Sequence, residues 1–296
     1  MIFEIAPAKI NLTLEILGKR DDGYHDIESV MQTVDICDVL TFWHNDWIKV
    51  IPEYSGLPLK DNLFGTDGSN YLFDNLVYKA ATLLKEETGC RQGAVIQLRK
   101  TIPSSAGLGG GSSDAAATLK GLNKLWDLGL SGPDLSELGA RIGSDIPYFI
   151  YGGTCLVKGR GEMVEKIQDI SPQWLLVILL PISISQKTAH LYSYLDASFY
   201  TGGSFTARLL ESLNGKSSNG GLKNYLFNVF EKVYGRSFTQ FGDWTQKLGK
   251  IGIDPVHLAG SGPSIYYMGK TCQELKEALG LIRRLGLNCY IARTVP

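Results

Sequence analysis

Residues 103–114 read PSSAGLGGGSSD. Glycine stands at 107, 109, 110 and 111, and Ser112, Ser113 and Asp114 follow at once. Three consecutive glycines weaken a strand or a helix, so the run serves backbone geometry rather than regular structure. Main-chain N–H groups without side chains around them bind anions, and a helix start adds its positive dipole end. Phosphate is the usual anion at such a place. The serine hydroxyls can cap the helix, touch a phosphate or ligate Mg²⁺. A flexible loop without a ligand is the competing reading of a glycine run by itself. Two phosphate motifs are absent. GxGxxG would need glycine at Ser112, and the Walker pattern ending in Gly269-Lys270-Thr271 would need glycine at Ser264.

Three other places carry chemistry. Lys9 stands among Ala8, Ile10 and Leu12, where an ammonium loses hydration unless it is paired. Asp145 stands in Ser-Asp-Ile-Pro, after a predicted helix end, where a carboxylate can project into a cleft or simply serve a turn. Tyr24 and His25 close Asp-Gly-Tyr-His. A tyrosine and a histidine at a hairpin are ordinarily surface packing.

The surrounding periodicity predicts the elements that position these groups. Ile10, Leu12, Leu14 and Ile16 alternate with Asn11, Thr13 and Glu15, the pattern of a half-buried strand ending at the turn 18–23. Strand signals are mixed over 27–42, and 45–70 reads as irregular surface. A helix begins at a possible N-cap, Asp74, and closes at Gly89. AVIQLR (94–99) is a strand. Ala115, Leu119, Leu122 and Trp126 fall on one helical face. The glycine run therefore lies between a strand and a helix start. A short helix follows from Ser131 to Gly143. WLLVILL (174–180) reads as a buried strand, and weaker helical patterns fill 186–250. Strands at 255–258, 264–268 and 288–293 with a helix at 273–285 complete a split βαβ pattern. Gly202, Gly203 and the stretch 217–221 read as loops.

The bulk properties narrow the classes. The chain has 296 residues with a formal net charge of −1, so no global positive field marks a nucleic-acid binder. The first residues lack a signal-peptide pattern, and the apolar run from Trp174 to Pro181 is too short to span a bilayer. Five scattered cysteines without a CxxC pair fit a reduced, cytoplasmic protein.

PSSAGLGGGSSD resembles the second motif of the GHMP kinases. APAKINLTLEILGKRDDGYHDIESVMQ (6–32) and LAGSGPSIY (258–266) resemble the other two signatures. Within that superfamily AKINL, GKRDDGYH, GLGGGSSDAA, GSDIPYF (143–149) and KGRGE (158–162) are similar to the branch that acts on a cytidine diphosphate-linked methylerythritol. The resemblance runs from residue 6 to about residue 266. Ser144 departs from the alanine usual in that branch, 181–192 is only loosely alike, and 43–73 matches poorly, which leaves the adenine pocket unassigned.

The resemblance implies an α+β protein of two domains. Residues 1–160 would form a mixed α/β domain carrying the ATP loop, and 161–296 a ferredoxin-like α/β sandwich. It implies transfer of the γ-phosphoryl of ATP to the C2 hydroxyl of the methylerythritol unit, in non-mevalonate isoprenoid precursor biosynthesis. Asp145 would be the base and Lys9 its partner. ATP would be held by Pro103, Gly107, Leu108, Gly109, Gly110, Gly111, Ser112 and Ser113, bordered by Lys100 and Asn75. Mg²⁺ would bind mainly through phosphate oxygens, with no dedicated metal site. Asn11 would bind the diol, His25 would read cytosine with Tyr24 assisting, and Tyr192 would stack with Thr188 nearby. Gly260, Ser261 and Gly262 would bring backbone to the substrate phosphates. The expected partner is a small molecule bearing cytidine diphosphate, with no nucleic acid and no membrane, for a cytoplasmic monomer or homodimer. A mevalonate- or homoserine-type kinase and a non-catalytic nucleotide-binding protein are the alternatives.

Overall fold

The computed structural model describes residues 1–54, 75–182, 187–215 and 221–296, and at 54 and 187–189 the backbone alone. The chain forms two compact units. The first comprises Met1–Ala8, Ile36–Ser105 and Gly109–Gly152, the second Lys9–Asp35, Ala106–Leu108 and Gly153–Pro296. The expected domains are two consecutive stretches, 1–160 and 161–296. The compact units are instead interleaved, because strands β1 (Ile2–Lys19) and β2 (His25–Asn45) each contribute to both.

In the first unit β3 (Lys49–Tyr54) pairs in parallel with β4 (Gly93–Lys100), which pairs antiparallel with β2 from Val39↔Arg99 to Asn45↔Gly93. Lys49–Tyr54 falls in the stretch expected to be irregular. Its backbone finds ladder partners on β4, which overrides its weak strand composition, and the rest of 55–70 lies outside the described residues. From Ile36 to Phe42 the even-numbered residues of β2 face the core: Ile36, Leu40 and Phe42 are buried. Helix α1 (Leu76–Thr88) is capped by Asn75, whose side chain accepts from Val77 N at 2.9 Å, and it ends at left-handed Gly89. The expected cap, Asp74, lies outside the described residues. Helix α2 (Gly110–Leu125) buries Ala115, Leu119 and Leu122 as its periodicity predicts, and Trp126 is its C-cap. Each large apolar side chain so buried contributes about 1.5–3 kcal/mol. α3 (Gly132–Ile142) starts on a Ser131–Asp134 capping box. α4 (Ile146–Tyr151) follows at once.

In the second unit β2 also pairs with β5 (Thr154–Gly159), which pairs with β6 (Met163–Lys166). A second sheet holds β7 (Trp174–Leu179). After it come α5 (Lys187–Ser193), α6 (Ser204–Leu213), β8 (Phe227–Asn228, parallel to β1), α7 (Val229–Ser237) and α8 (Thr239–Lys250). β9 (Val256–Leu258), β10 (Ser264–Gly269), α9 (Cys272–Arg284) and β11 (Asn288–Arg293) complete the chain. The sheet order is β11-β7-β10-β9, antiparallel throughout. This is the split βαβ, ferredoxin-like arrangement expected from the sequence. Its core gathers Leu176 and Ile178 of β7, Ile265 of β10, Leu275 and Ile282 of α9, and Phe230, Val233 and Tyr234 of α7. The loop expected at 217–221 falls mainly outside the described residues.

The alternation in β1 has a different outcome from the one it predicts. Asn11, Thr13 and Glu15 are as buried as the apolar residues between them, at 1%, 0% and 0% exposure. Each is satisfied within the second unit. Asn11 Nδ2 donates to Ser29 Oγ at 2.6 Å, and Thr13 Oγ1 accepts from Val30 N at 2.9 Å. Glu15 accepts from Phe205 N at 3.2 Å and Thr206 N at 2.6 Å, so a carboxylate covers the positive end of α6. A polar row in a strand marks solvent only when nothing packs over it. Among the described residues no helix is long and apolar enough to cross a membrane.

Candidate active site

The glycine run opens α2 as its composition demands. Gly109 is the N-cap in the left-handed region, φ 74°, and no side chain caps the helix. The first-turn N–H groups are therefore left to other partners, which suits an anion. Gly111 is exposed, and a Cβ there would meet only Leu76 Cδ1 at an ordinary 3.5 Å. Ser112 is half-buried, whereas Ser113 is buried and its Oγ has no hydrogen-bond partner among the described residues. Pro103 is buried in the connection before the run.

The run's first part belongs to the second unit and is fastened there. Ala106 O accepts from Ser264 N at 3.1 Å, and Leu108 O accepts from Lys9 N at 2.9 Å. Gly107 has φ 84°, and a Cβ on it would stand 2.6 Å from Gly262 O. Gly260 presses on Gly107 in return: a Cβ on it would lie 2.5 Å from Gly107 O and 3.1 Å from Lys9 Nζ. Tyr234 donates its hydroxyl proton to Ser261 O at 3.1 Å, and Asn228 Nδ2 donates to Gly260 O at 2.9 Å. The two glycine turns that the sequence separates by 150 residues thus touch through their backbones.

Lys9 is 5% exposed and donates to Asn11 Oδ1 at 2.6 Å. With Ser29 on its amide nitrogen, Asn11 is engaged at both ends of its side chain. Asp145 is the residue before α4, half-buried, with no capping bond from its side chain. Lys9 and Asp145 belong to different units.

The second unit brings His25 and Tyr192 together, ring centroids 5.3 Å apart and tilted by 42°. His25 is buried, and its Nε2 has no hydrogen-bond partner among the described residues. Burial first, and the charge of Lys19 second, hold its pKa below the ordinary imidazole value. Tyr24 is exposed, with the Arg160 guanidinium 5.0 Å above its ring. Arg160 belongs to the KGRGE stretch. Its backbone N–H is held by Glu162 Oε2 at 2.6 Å. The side chain of Thr188 lies outside the described residues.

Lys100, expected at the border of the nucleotide, is buried between two carboxylates. Its ammonium contacts Asp38 Oδ2, and Asp114 Oδ2 at 2.6 Å. Burial works against its charge, and the two carboxylates more than offset this and raise its pKa. Burial, with Asp38 adding to it, pushes the Asp114 carboxyl up to about 8, against the pull of Lys100. Asp38 escaped the sequence reading, yet a signal was there. It shares the buried phase of Val34, Ile36, Leu40 and Phe42 on β2, just as Lys100 shares that of Ala94, Ile96 and Leu98 on β4. Asn75 spends its side-chain oxygen on the cap of α1. Among the described residues no three His, Cys, Asp or Glu side chains gather as a metal cluster.

Known proteins share this sequence and architecture. Residues 75–153 match the GHMP kinases N terminal domain. A 4-diphosphocytidyl-2-C-methyl-D-erythritol kinase of Bacillus cytotoxicus is 41% identical over 263 residues, 88% of this chain and 86% of the relative. A crystal structure of 4-(cytidine 5'-diphospho)-2C-methyl-D-erythritol kinase superposes over all of both chains with a TM-score of 0.78 at 25% identity. The mevalonate kinase of Methanococcus jannaschii, at 14% identity and a TM-score of 0.68, shares the fold. The chain belongs to the 4-diphosphocytidyl-2-C-methyl-D-erythritol kinase family of the GHMP kinases.

Proposed function

We propose that this protein transfers the γ-phosphoryl of ATP to the C2 hydroxyl of 4-diphosphocytidyl-2-C-methyl-D-erythritol, a step of non-mevalonate isoprenoid precursor biosynthesis. The observation that carries the chemistry is the start of α2, where a left-handed Gly109 leaves the first-turn N–H groups without a side-chain cap. Such a turn suits a triphosphate, because fixed donors meet its charge without reorganising. Family membership supports the substrate.

In the reaction the acceptor oxygen forms a bond to the γ-phosphorus while the bond to the β–γ bridging oxygen breaks, and ADP leaves. Asp145 takes the hydroxyl proton. A half-buried carboxylate not engaged in capping its own helix is suited to that role. Lys9 is the cationic partner that the family resemblance assigns to it. The amides from Gly109 to Ser112 hold phosphate oxygens. Mg²⁺ bound through those oxygens would neutralise charge as it moves to ADP, and the hydroxyls of Ser112 and Ser113 are the side chains that fit it. The orphaned Oγ of Ser113 is in keeping with a polar ligand beside this turn.

His25 reads the cytosine edge through its unpartnered Nε2, Tyr192 stacks, and Tyr24 assists. Asn11, which accepts from Lys9 and donates to Ser29, binds the diol with its remaining hydrogen-bonding capacity. Gly260, Ser261 and Gly262 lend backbone to the substrate phosphates. The protein works in the cytoplasm as a monomer or homodimer, on small molecules alone.

Purified protein with ATP and Mg²⁺ is offered the cytidine diphosphate substrate, mevalonate and homoserine in separate reactions. Phosphorylation of the first alone is expected. Transfer to mevalonate or homoserine instead would assign another GHMP kinase, and no transfer with intact ATP binding would assign a non-catalytic binder. Asp145→Asn should lower kcat by roughly 10²–10⁴-fold, the range for loss of a general base. An unchanged kcat would remove Asp145 from the mechanism.

A further inference from the structure

Three ionisable side chains lie buried beneath the start of α2. Asp38 comes from the middle of β2, Lys100 from the last position of β4, and Asp114 from the second turn of α2. Asp38 and Lys100 face each other one step beyond the cross-strand pair Val39↔Arg99. The second oxygen of Asp38 accepts from Thr101 N at 2.5 Å and Ile102 N at 2.8 Å, so it also fixes the path of the chain as it leaves β4. Lys100 then carries the connection on to Asp114 at 2.6 Å. Contact with the helix start is direct as well. A Cβ on Gly110 would meet Ile102 Cγ2 at 2.9 Å and Lys100 Nζ at 3.5 Å. The first residue of α2 therefore rests on the layer that this cluster builds.

The cluster is a poor device for stability alone. Three ionisable groups are withdrawn from water, and apolar residues of similar volume at such places are often neutral or stabilising. A cation set under the positive end of a helix adds repulsion. Asp114 Oδ1 is buried with no hydrogen-bond partner among the described residues, so this carboxyl group is incompletely satisfied. What the arrangement does supply is direction. Charge-assisted bonds have narrower geometry than apolar contacts, and here they link the strand exit, its first two amides and the helix that opens with the glycines.

From this geometry we infer that Asp114 is a positioning residue for nucleotide binding: tied through Lys100 to Asp38, it sets the first turn of α2 and thereby aims the N–H groups of Gly110 to Ser112 at the phosphates. The inference rests on the reading of that turn as the phosphate site. It makes no demand on the acceptor, whose recognition involves neither Asp114 nor Lys100.

The test is steady-state kinetics with ATP and the cytidine diphosphate substrate varied in turn, alongside thermal melts and direct titration with ADP. Wild-type turnover with ATP establishes the parent reading, and the variants then test the positioning role separately. Asp114→Ala should raise the KM for ATP and the Kd for ADP by about ten-fold, leaving kcat and the acceptor KM within about two-fold. Asp114→Asn keeps an oxygen for Lys100 and should restore both nucleotide constants to within about two-fold of wild type. Should Asp114→Ala not fold, the double variant Lys100→Met/Asp114→Leu replaces the ion pair by apolar volume and should show the same rise. A folded Asp114→Ala, or a folded double variant, with wild-type nucleotide constants would overturn the inference. So would an Asp114→Asn as impaired as Asp114→Ala, since the charge and not the tie would then carry the effect.

Discussion

The glycines at 107, 260 and 262 and the glycine at 111 look alike in the sequence and do opposite work. The first three exist because protein already occupies the space a side chain would need. Added Cβ atoms there would meet Gly262 O, Gly107 O and Tyr234 Oη at 2.6, 2.5 and 2.5 Å. Gly111 has ordinary room for a methyl group and no positive φ. Its glycine is therefore not required by the fold, which is in keeping with the phosphate site proposed there. Glycine content marks close approach, and only the surroundings tell whether the approaching group is the protein itself or something it binds.

The comparison breaks most readily at Gly107. Gly107→Ala places a side chain at φ 84° and drives it into a backbone carbonyl, which cannot rotate away. The strain and the overlap together should destabilise the protein by about 3 kcal/mol, read from denaturant melts. Gly262→Ala, at φ 74° against the Tyr234 hydroxyl, should lose somewhat less because that side chain can shift. A Gly107→Ala protein as stable as wild type would mean that the two turns do not meet as described.

Gly111→Ala sharpens the contrast from the other side. Alanine is the better helix former, so stability should stay level or rise by up to about 1 kcal/mol. The methyl group would stand among the amides assigned to phosphate, and the KM for ATP should rise about five- to ten-fold, roughly 1 kcal/mol of binding. A variant with lower stability and an unchanged KM would exchange the roles of the two glycine sets.

Much of this organisation was legible beforehand, for identifiable reasons. The second sheet follows strand by strand from its apolar runs, because WLLVIL and SIYYMG are buried on both faces and need no long-range information. The helix after the glycine run follows from a single apolar stripe. Lys9 stands out as a lysine within an apolar strand, whereas His25 and Asp145 are marked only by the family motifs around them. What was hidden depends on packing between distant segments. The polar row Asn11, Thr13 and Glu15 reads as a solvent face until Ser29, Val30 and Thr206 are seen to satisfy it. The ion pair of Lys100 with Asp38, 62 residues away in the sequence, is invisible until the fold sets the two side by side. The cap of α1 moved by one residue because Asp74 and Asn75 carry the same capping chemistry.

The contrast between occupied and open space extends to polar atoms, and His25 offers its smallest test. Asn11 has a partner at each end of its side chain, Lys9 and Ser29, whereas Nε2 of His25 is buried and unanswered among the described residues, as a ligand-reading atom would be. The folded protein depresses the pKa of His25, so folding favours the neutral ring. Its contribution to stability is then intact above the unfolded imidazole value of about 6.5 and is lost as pH falls through the lower folded value. Thermal melts from pH 7 to pH 5 should show stability declining, and His25→Gln should remove part of that decline. Over the same interval the KM for the cytidine substrate should rise in the wild type as the ring takes up a second proton and can no longer accept a hydrogen bond, while the KM for ATP stays level. Parallel changes in both constants would point to general acid loosening of the protein, and His25 would then be a buried core histidine with no part in reading the base.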